Sequence, residues 1–426
     1  MRKIVSLLWL VMLAAQMQAQ IRGNNIVITV EPDHADWNYR VGETATFTVE
    51  VRRSGTLLPN VVVSYEAGPD MYPDVKKDNV TLKDGTLSLK GKLSKPGFYR
   101  VKVRARIEGK DYDATCNVGY DPDKLQPYTQ CPADFDAFWK KALSEARQYD
   151  LDPQIQLMPE RCTKDVDVYH VSFVNQRPGN RIYGILCKPK KAGSYPALLR
   201  VPGAGVRQYF GDVYTASQGA ITLEIGIHGI PVNLDQSTYD RMLDGCLNGY
   251  WEVNLDEPEK NFYRRVVVGA VRSVDFIASL PEWNGKTVGV TGSSQGGFLS
   301  LATAALDSRI TFYAPVHDAM CDYEAALHKS ACGWPHYFYN VEKPDTKKVE
   351  GARYYDGVNF AKRIKNAKGW FSFGYNDDVV PPGSSYATYN AVPGPKQLSL
   401  YQQTGHFWYQ EQWDEWEQFL LERLKD

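Results

Sequence analysis

Hydrophobic and polar positions change period along this chain. From residue 26 to about residue 119 they alternate every second position. Ile26-Ile28-Val30, Ala45-Phe47-Val49-Val51, Val61-Val63-Tyr65, Leu87-Leu89 and Tyr99-Val101-Val103 each line one side of an extended segment. Gly42, Gly55, Asp84-Gly85, Gly97 and Gly109 break the runs where turns are needed. The pattern predicts an all-β, immunoglobulin-like sandwich over residues 20–119. Trp37 and Tyr39 either plug its core or stack on sugar rings. The single histidine there, His34, has no catalytic grouping around it.

A polar connector, Asp121-Pro122-Asp123-Lys124-Leu125-Gln126-Pro127, separates this region from the longer C-terminal part of the chain. Phe135, Phe138, Trp139 and Leu143 then fall on one helical face. Residues 166–174 and 181–188 read as an antiparallel pair. Buried strands come next at 196–201, 221–227, 310–316, 369–373 and 397–401, with a helix at 262–280. Strand and helix in alternation predict an α/β domain over residues 120–426, with a mostly parallel sheet and helices on both faces. Binding sites in such sheets lie at the carboxyl ends of the strands.

Residues 288–299, VGVTGSSQGGFL, are the chemical focus of that domain: an apolar strand, then Gly292-Ser293-Ser294-Gln295-Gly296, then a helix of small residues. This is the nucleophile elbow of an α/β-hydrolase fold. Gly292 and Gly296 stand where a Cβ would collide with passing backbone. The helix start aims the N–H of Gln295 at an oxyanion forming beside Ser294.

A serine hydroxyl needs an imidazole to take its proton and a carboxylate to hold that imidazole, in the chain order Ser, acid, His. His406, in the loop after the last strand, is the candidate base, and the strand end before it offers Asp377 and Asp378. Adjacent acids point opposite ways, so one of the two faces His406; spacing leaves both open. Ala204, in the loop Gly203-Ala204-Gly205, is the candidate second oxyanion donor through its backbone N–H.

The chain opens with Arg2-Lys3, an apolar run and Met17-Gln18-Ala19, which reads as a secretory signal over residues 1–19 rather than a membrane span. Removal of that leader takes the net charge from -1 to -3, which leaves no electrostatic footprint for nucleic acid. The expected product is soluble and exported, periplasmic or extracellular. Seven scattered cysteines without a CxxC pair build no zinc site, and Cys321 and Cys332 are expected as buried thiols rather than a bridge. No histidine pair has metal spacing, so neither metal nor organic cofactor is expected.

From Pro132 onward the chain resembles carbohydrate esterase family seven, the acetyl xylan esterases and cephalosporin C deacetylases. The resemblance rests on Asp134-Phe135-Asp136 with Phe138-Trp139, Arg181-Ile182-Tyr183-Gly184, the elbow with Gln295, Tyr355-Asp356-Gly357, Gly374 with Asp377 and Pro381-Pro382, and Gly405-His406. It implies Ser294 as nucleophile, Asp377 rather than Asp378 as acid, His406 as base, and removal of acetyl groups from a carbohydrate without a cofactor. Two departures stand out. Pro202-Gly203-Ala204 replaces the family's His-Gly-Tyr, and Ile227-His228-Gly229 replaces its Arg-Gly-Gln, which puts the usual ring-shaped oligomer in question. His228 and Trp334 are candidate substrate contacts, the latter within the aromatic insertion Tyr323, Trp334, His336, Tyr337, Phe338 and Tyr339. The competing readings are a serine peptidase of the prolyl oligopeptidase type, an esterase acting on glucuronoyl or feruloyl groups, and a glycan-binding protein with an inactive hydrolase body.

Overall fold

A computed structural model describes residues 25–426, so the expected leader lies outside the described residues. The chain divides between Asp121 and Pro122 into two compact units.

The first unit contains two sheets. One joins Ile26–Pro32, Ala45–Arg53, Thr56–Leu57 and Thr86–Gly91. The other runs in the order Asn38–Tyr39, Lys110–Tyr120, Gly97–Ile107, Val61–Pro69, Val75–Leu82. Their inward positions meet in one core, with Phe47, Val49 and Val51 from the first sheet and Val101, Val103 and Val118 from the second all fully buried. Each strand buries alternate residues because only one of its faces is covered. Tyr39 is part of this core, stacked between His34 at 4.2 Å and Tyr120 at 5.5 Å, and Trp37 packs against the same cluster. Of the two roles open to these rings, they take the structural one.

The second unit is built on a nine-stranded sheet. Its order is Gln154–Leu157, Val166–Arg177, Asn180–Pro189, Ile221–Gly226, Tyr195–Arg200, Trp283–Ser293, Ile310–Val316, Lys368–Phe373, Lys396–Leu400. Pairing is antiparallel through the first four strands and parallel from Ile221–Gly226 onward. Tyr195–Arg200 steps across its successor to reach the centre, so the carboxyl ends of the central strands share one rim. The central strands read as continuous apolar runs, such as Val288 to Val290, because helices cover both faces. One of these, Phe262–Ser279, starts where the Asn261 side chain accepts from the Tyr263 N–H at 2.8 Å, and buries Val266, Val267, Val271, Val274 and Ile277 against the sheet. Each buried side chain of this size stabilises by about 1.5–3 kcal/mol relative to exposure.

Gln154–Leu157 is an edge strand that periodicity does not reveal, since all four residues are exposed. All seven cysteines are free thiols, and Cys321 and Cys332 are both buried. Among the described residues, no helix is long and apolar enough to cross a membrane.

Buried carboxylates, not disulfides, fasten the segment after Ile310–Val316. Asp356 accepts from the hydroxyl of Thr129 at 2.7 Å and from the N–H groups of Asp322, Tyr323 and Val358 at 2.9 to 3.0 Å. Asp322 accepts in turn from the amides of Tyr128 and Thr129, both at 2.8 Å. The segment just after the connector, at Tyr128-Thr129, and the aromatic insertion are thereby sewn together by polar groups that satisfy one another away from water.

Candidate active site

Ser294 sits at the turn between the strand Trp283–Ser293 and the helix Gln295–Leu306, with φ 61° and ψ −122°. A side chain with a Cβ rarely adopts this backbone, and the surrounding hydrogen bonds hold it there. The Ser294 N–H donates to the Val316 carbonyl at 2.8 Å, and the Ser294 carbonyl accepts from Gly297 at 2.8 Å and Ala319 at 3.2 Å. The flanking glycines are obligatory for a measurable reason. A Cβ on Gly292 would stand 2.3 Å from the carbonyl oxygen of Val201, and one on Gly296 would stand 2.5 Å from the same atom. The end of the neighbouring strand thus passes directly over the elbow, which brings the candidate oxyanion loop beside it.

His406 lies at the same rim, in the loop after Lys396–Leu400. Its Nδ1 donates to Asp377 Oδ2 at 2.8 Å. The donated proton fixes the tautomer, leaving Nε2 as an acceptor in the neutral ring. Asp377 is fully buried, and its other oxygen accepts from the N–H groups of Val379 and Val380 at 2.9 and 2.8 Å. Burial acts to raise its pKa, but the neighbouring rings of His317 and His406 together outweigh burial and hold it well below the usual carboxylate range. Asp378 is exposed, pointing away from this pair. Spacing alone leaves that choice open, and burial of one acid is what distinguishes the two.

The loop Pro202 to Gly205 is held by side chains from three distant segments. Gln295, the first residue of the helix, turns its amide inward: Nε2 donates to the Pro202 carbonyl at 3.2 Å, while Oε1 accepts from the hydroxyls of Tyr250 at 2.9 Å and Tyr263 at 2.8 Å. The Tyr250 hydroxyl also accepts from the Gly205 N–H at 3.1 Å. The Gly205 carbonyl accepts from His228 Nε2 at 2.9 Å. His228 therefore braces the loop from its buried side. Burial pushes its pKa down to about 4, against the bond to Gly205, with Arg265 and Arg207 adding to the fall, so the ring is neutral there. Arg207, which also lines the cleft, donates to the carbonyls of Gly203 and Ala204. With those groups engaged, the N–H of Ala204 belongs to a loop clamped on both flanks.

A cleft of about 580 Å³ opens at the rim. Its lining includes Gly203, Gly292, Ser293, His317 and His406 together with the aromatic residues Tyr209, Phe210, Phe407, Trp408, Trp413 and Trp416; Ser294 adjoins it in sequence through Ser293 but is not itself among the lining residues. Trp334 does not line this cleft; it is half-buried with its ring 5.6 Å from Trp251. Tyr323 and Tyr337 pack against each other with ring centroids 4.9 Å apart and planes tilted by 49°, and the Tyr337 hydroxyl donates to the Trp251 carbonyl. Within the insertion Tyr323 and Phe338 are buried, while Trp334, His336, Tyr337 and Tyr339 are half-buried. The aromatic lining comes from two segments instead, Tyr209-Phe210 and the tail after His406 with Phe407, Trp408, Trp413 and Trp416, neither of which has a period that would mark it as lining a site.

His317 is the residue that spacing missed most plainly. It follows Ile310–Val316, is 3% exposed, has φ 45°, and brings its Nδ1 to 3.2 Å from Asp377 Oδ2. His317, Asp377 and His406 are also the one group of three among the described residues whose ligand atoms, all within 4.8 Å of one another, match a metal site.

The sheet order and the strained elbow at the rim define an α/β-hydrolase. The family profile of acetyl xylan esterase (AXE1) matches residues 122–422. Acetyl esterase Axe7A of Xylanibacter ruminicola is 39% identical over 384 residues, covering 88% of this chain and 85% of that protein. The fold is similar to that of an acetyl xylan esterase from Paenibacillus sp. R4, at 28% identity and TM-score 0.61 over 71% of this chain and 98% of the other. It is likewise similar to acetyl xylan esterase 1 from Thermoanaerobacterium sp. JW/SL YS485, at 27% identity and TM-score 0.61 over 71% and 97%. The chain belongs to the acetyl xylan esterase family and is a carboxylic ester hydrolase.

Proposed function

We propose that this enzyme removes O-acetyl groups from acetylated xylan-type polysaccharide or its oligosaccharides, with Ser294 as nucleophile, His406 as base and Asp377 as the acid that orients it. Ser294 Oγ bonds to the acetyl carbonyl carbon while His406 Nε2 takes its proton. The N–H groups of Gln295 and Ala204 hold the oxyanion. Collapse breaks the bond to the sugar oxygen, which receives the proton from His406. Water, deprotonated by His406, then attacks the acetyl-serine, and collapse releases acetate as His406 returns that proton to Ser294 Oγ.

The observation that carries this reading is the 2.8 Å hydrogen bond from His406 Nδ1 to buried Asp377, at the rim that also holds the elbow. The aromatic side of the cleft supports a carbohydrate leaving group, since pyranose faces carry C–H groups that stack on rings. The sequence of residues 1–19 supports export, and the described residues of the first unit, 25–121, hold no catalytic grouping of their own. Acetate release from acetylated xylooligosaccharides, lost in Ser294→Ala, tests the assignment. Hydrolysis of p-nitrophenyl butyrate as fast as p-nitrophenyl acetate would contradict a pocket fitted to acetate, because a misfitted methylene costs about 10- to 200-fold.

A further inference from the structure

Two imidazoles converge on one buried carboxylate at this rim, and the hydrolytic reaction needs only one. His406 Nδ1 and His317 Nδ1 stand 2.8 and 3.2 Å from the same oxygen, Asp377 Oδ2, with the two rings 5.1 Å apart. His317 Nδ1 is buried with Asp377 Oδ2 as its one near polar partner, at 3.2 Å and poorly aligned for a hydrogen bond. Burying a ring nitrogen that is not well bonded costs free energy, and a coordinated ion is one of the few groups that offsets it. His317 and His406 both face the cleft, so an ion has a route in and room for water as a further ligand.

We infer that His317, Asp377 and His406 form an inhibitory site for a divalent transition-metal ion, with zinc the best fit. Imidazole and carboxylate atoms lie about 2.0–2.2 Å from zinc, which in a tetrahedron sets ligand atoms about 3.4 Å apart. The two separations from Asp377 Oδ2, 2.8 and 3.2 Å, need to open by a few tenths of an ångström, and the two imidazole nitrogens, within 4.8 Å of each other, complete the triangle. The ion takes the place now held by the Nδ1 proton of His406. In the neutral ring that proton moves to Nε2, so no proton is released and no bond is broken elsewhere. Metallation thereby gives His406 the tautomer that cannot accept a proton from Ser294, and hydrolysis stops without the serine being touched. Removing the ion restores the proton to Nδ1 and with it the activity.

The test uses the full chain carrying Cys131→Ser and Cys246→Ser, because those two exposed thiols are zinc ligands in their own right. Zinc binding is measured by calorimetry, and p-nitrophenyl acetate hydrolysis is followed in parallel with and without EDTA. The expected result is one zinc bound per chain, loss of hydrolysis at the same concentration, and full recovery with EDTA. His317→Phe should weaken both binding and inhibition, relative to its own zinc-free rate, by at least about tenfold. His317→Gln serves the same comparison should the phenylalanine variant not fold. Equal zinc affinity in parent and variant would overturn the site, as would no binding at millimolar zinc. The inhibition arm rests on the proposed role of His406, whereas the binding arm does not. A chain that binds zinc through His317 yet keeps its activity would refute the inhibitory role and count against His406 as the base.

Discussion

Val201 contributes a single carbonyl oxygen, yet that atom dictates two residues of the elbow. Because Cβ atoms at 292 and 296 would fall 2.3 and 2.5 Å from it, Gly292→Ala and Gly296→Ala must displace either the elbow or the oxyanion loop. Each should lower esterase turnover at least about a hundredfold, since ångström-scale misplacement carries a cost of that order. Steady-state kinetics on p-nitrophenyl acetate checks this, and a variant with native turnover would show that the loop is free to retreat. Tyr250 poses a finer question, because its hydroxyl links Gly205 to Gln295 without facing the reaction. Tyr250→Phe should reduce kcat about tenfold with little change in KM, the signature of a loosened transition-state contact. A change confined to KM would assign the tyrosine to substrate binding instead.

At the scale of elements, the strands and the elbow were legible because both obey local rules. Buried parallel strands give apolar runs, and a serine between two glycines at a strand end marks a turn that few other structures require. The acid required more than spacing: Asp377 and Asp378 differ only in which one the turn buries. His317 and the Tyr250-Gln295-Tyr263 clamp were not legible, because their partners lie 32 to 60 positions away and no periodicity links them. The edge strand Gln154–Leu157 escaped for the opposite reason, having no buried face to leave a pattern.

The carboxylates that fasten the insertion make its stability depend on pH. Burial, with Asp356 adding like charge, pushes the pKa of Asp322 up to about 7, while in the unfolded chain it is near 3.8. An acid whose folded pKa is raised keeps its proton more readily in the fold. Its contribution is therefore greatest below pH 4 and is lost as pH rises toward 7. Asp322→Asn keeps an oxygen for the Tyr128 and Thr129 amides, suits φ 51°, and removes the charge. The variant should gain stability relative to the parent at pH 8 and not at pH 4, by roughly 1 kcal/mol or more. Denaturant melts at the two pH values measure it, and an equal difference at both would mean that the charge is not what matters.

On the scale of the whole molecule, two units each enclose a core of their own, one a sandwich around Phe47 and Val101, the other the nine-stranded sheet with its helices. Separate cores favour separate cooperative transitions. Calorimetry of the full chain should resolve two, with loss of esterase activity tracking only one of them. What the larger unit accomplishes is to carry Ser294, Asp377 and His406, spread over 113 positions of sequence, to one rim. The most direct measurement of that claim is covalent: treatment with a p-nitrophenyl phosphonate and mapping of the adduct by mass spectrometry. The expected result is one phosphonyl group per chain, on Ser294, formed in step with loss of hydrolysis and at least about a hundredfold more slowly in folded His406→Ala. An adduct on another residue, or a Ser294→Ala chain that hydrolyses acetyl esters at the parent's rate, would contradict it.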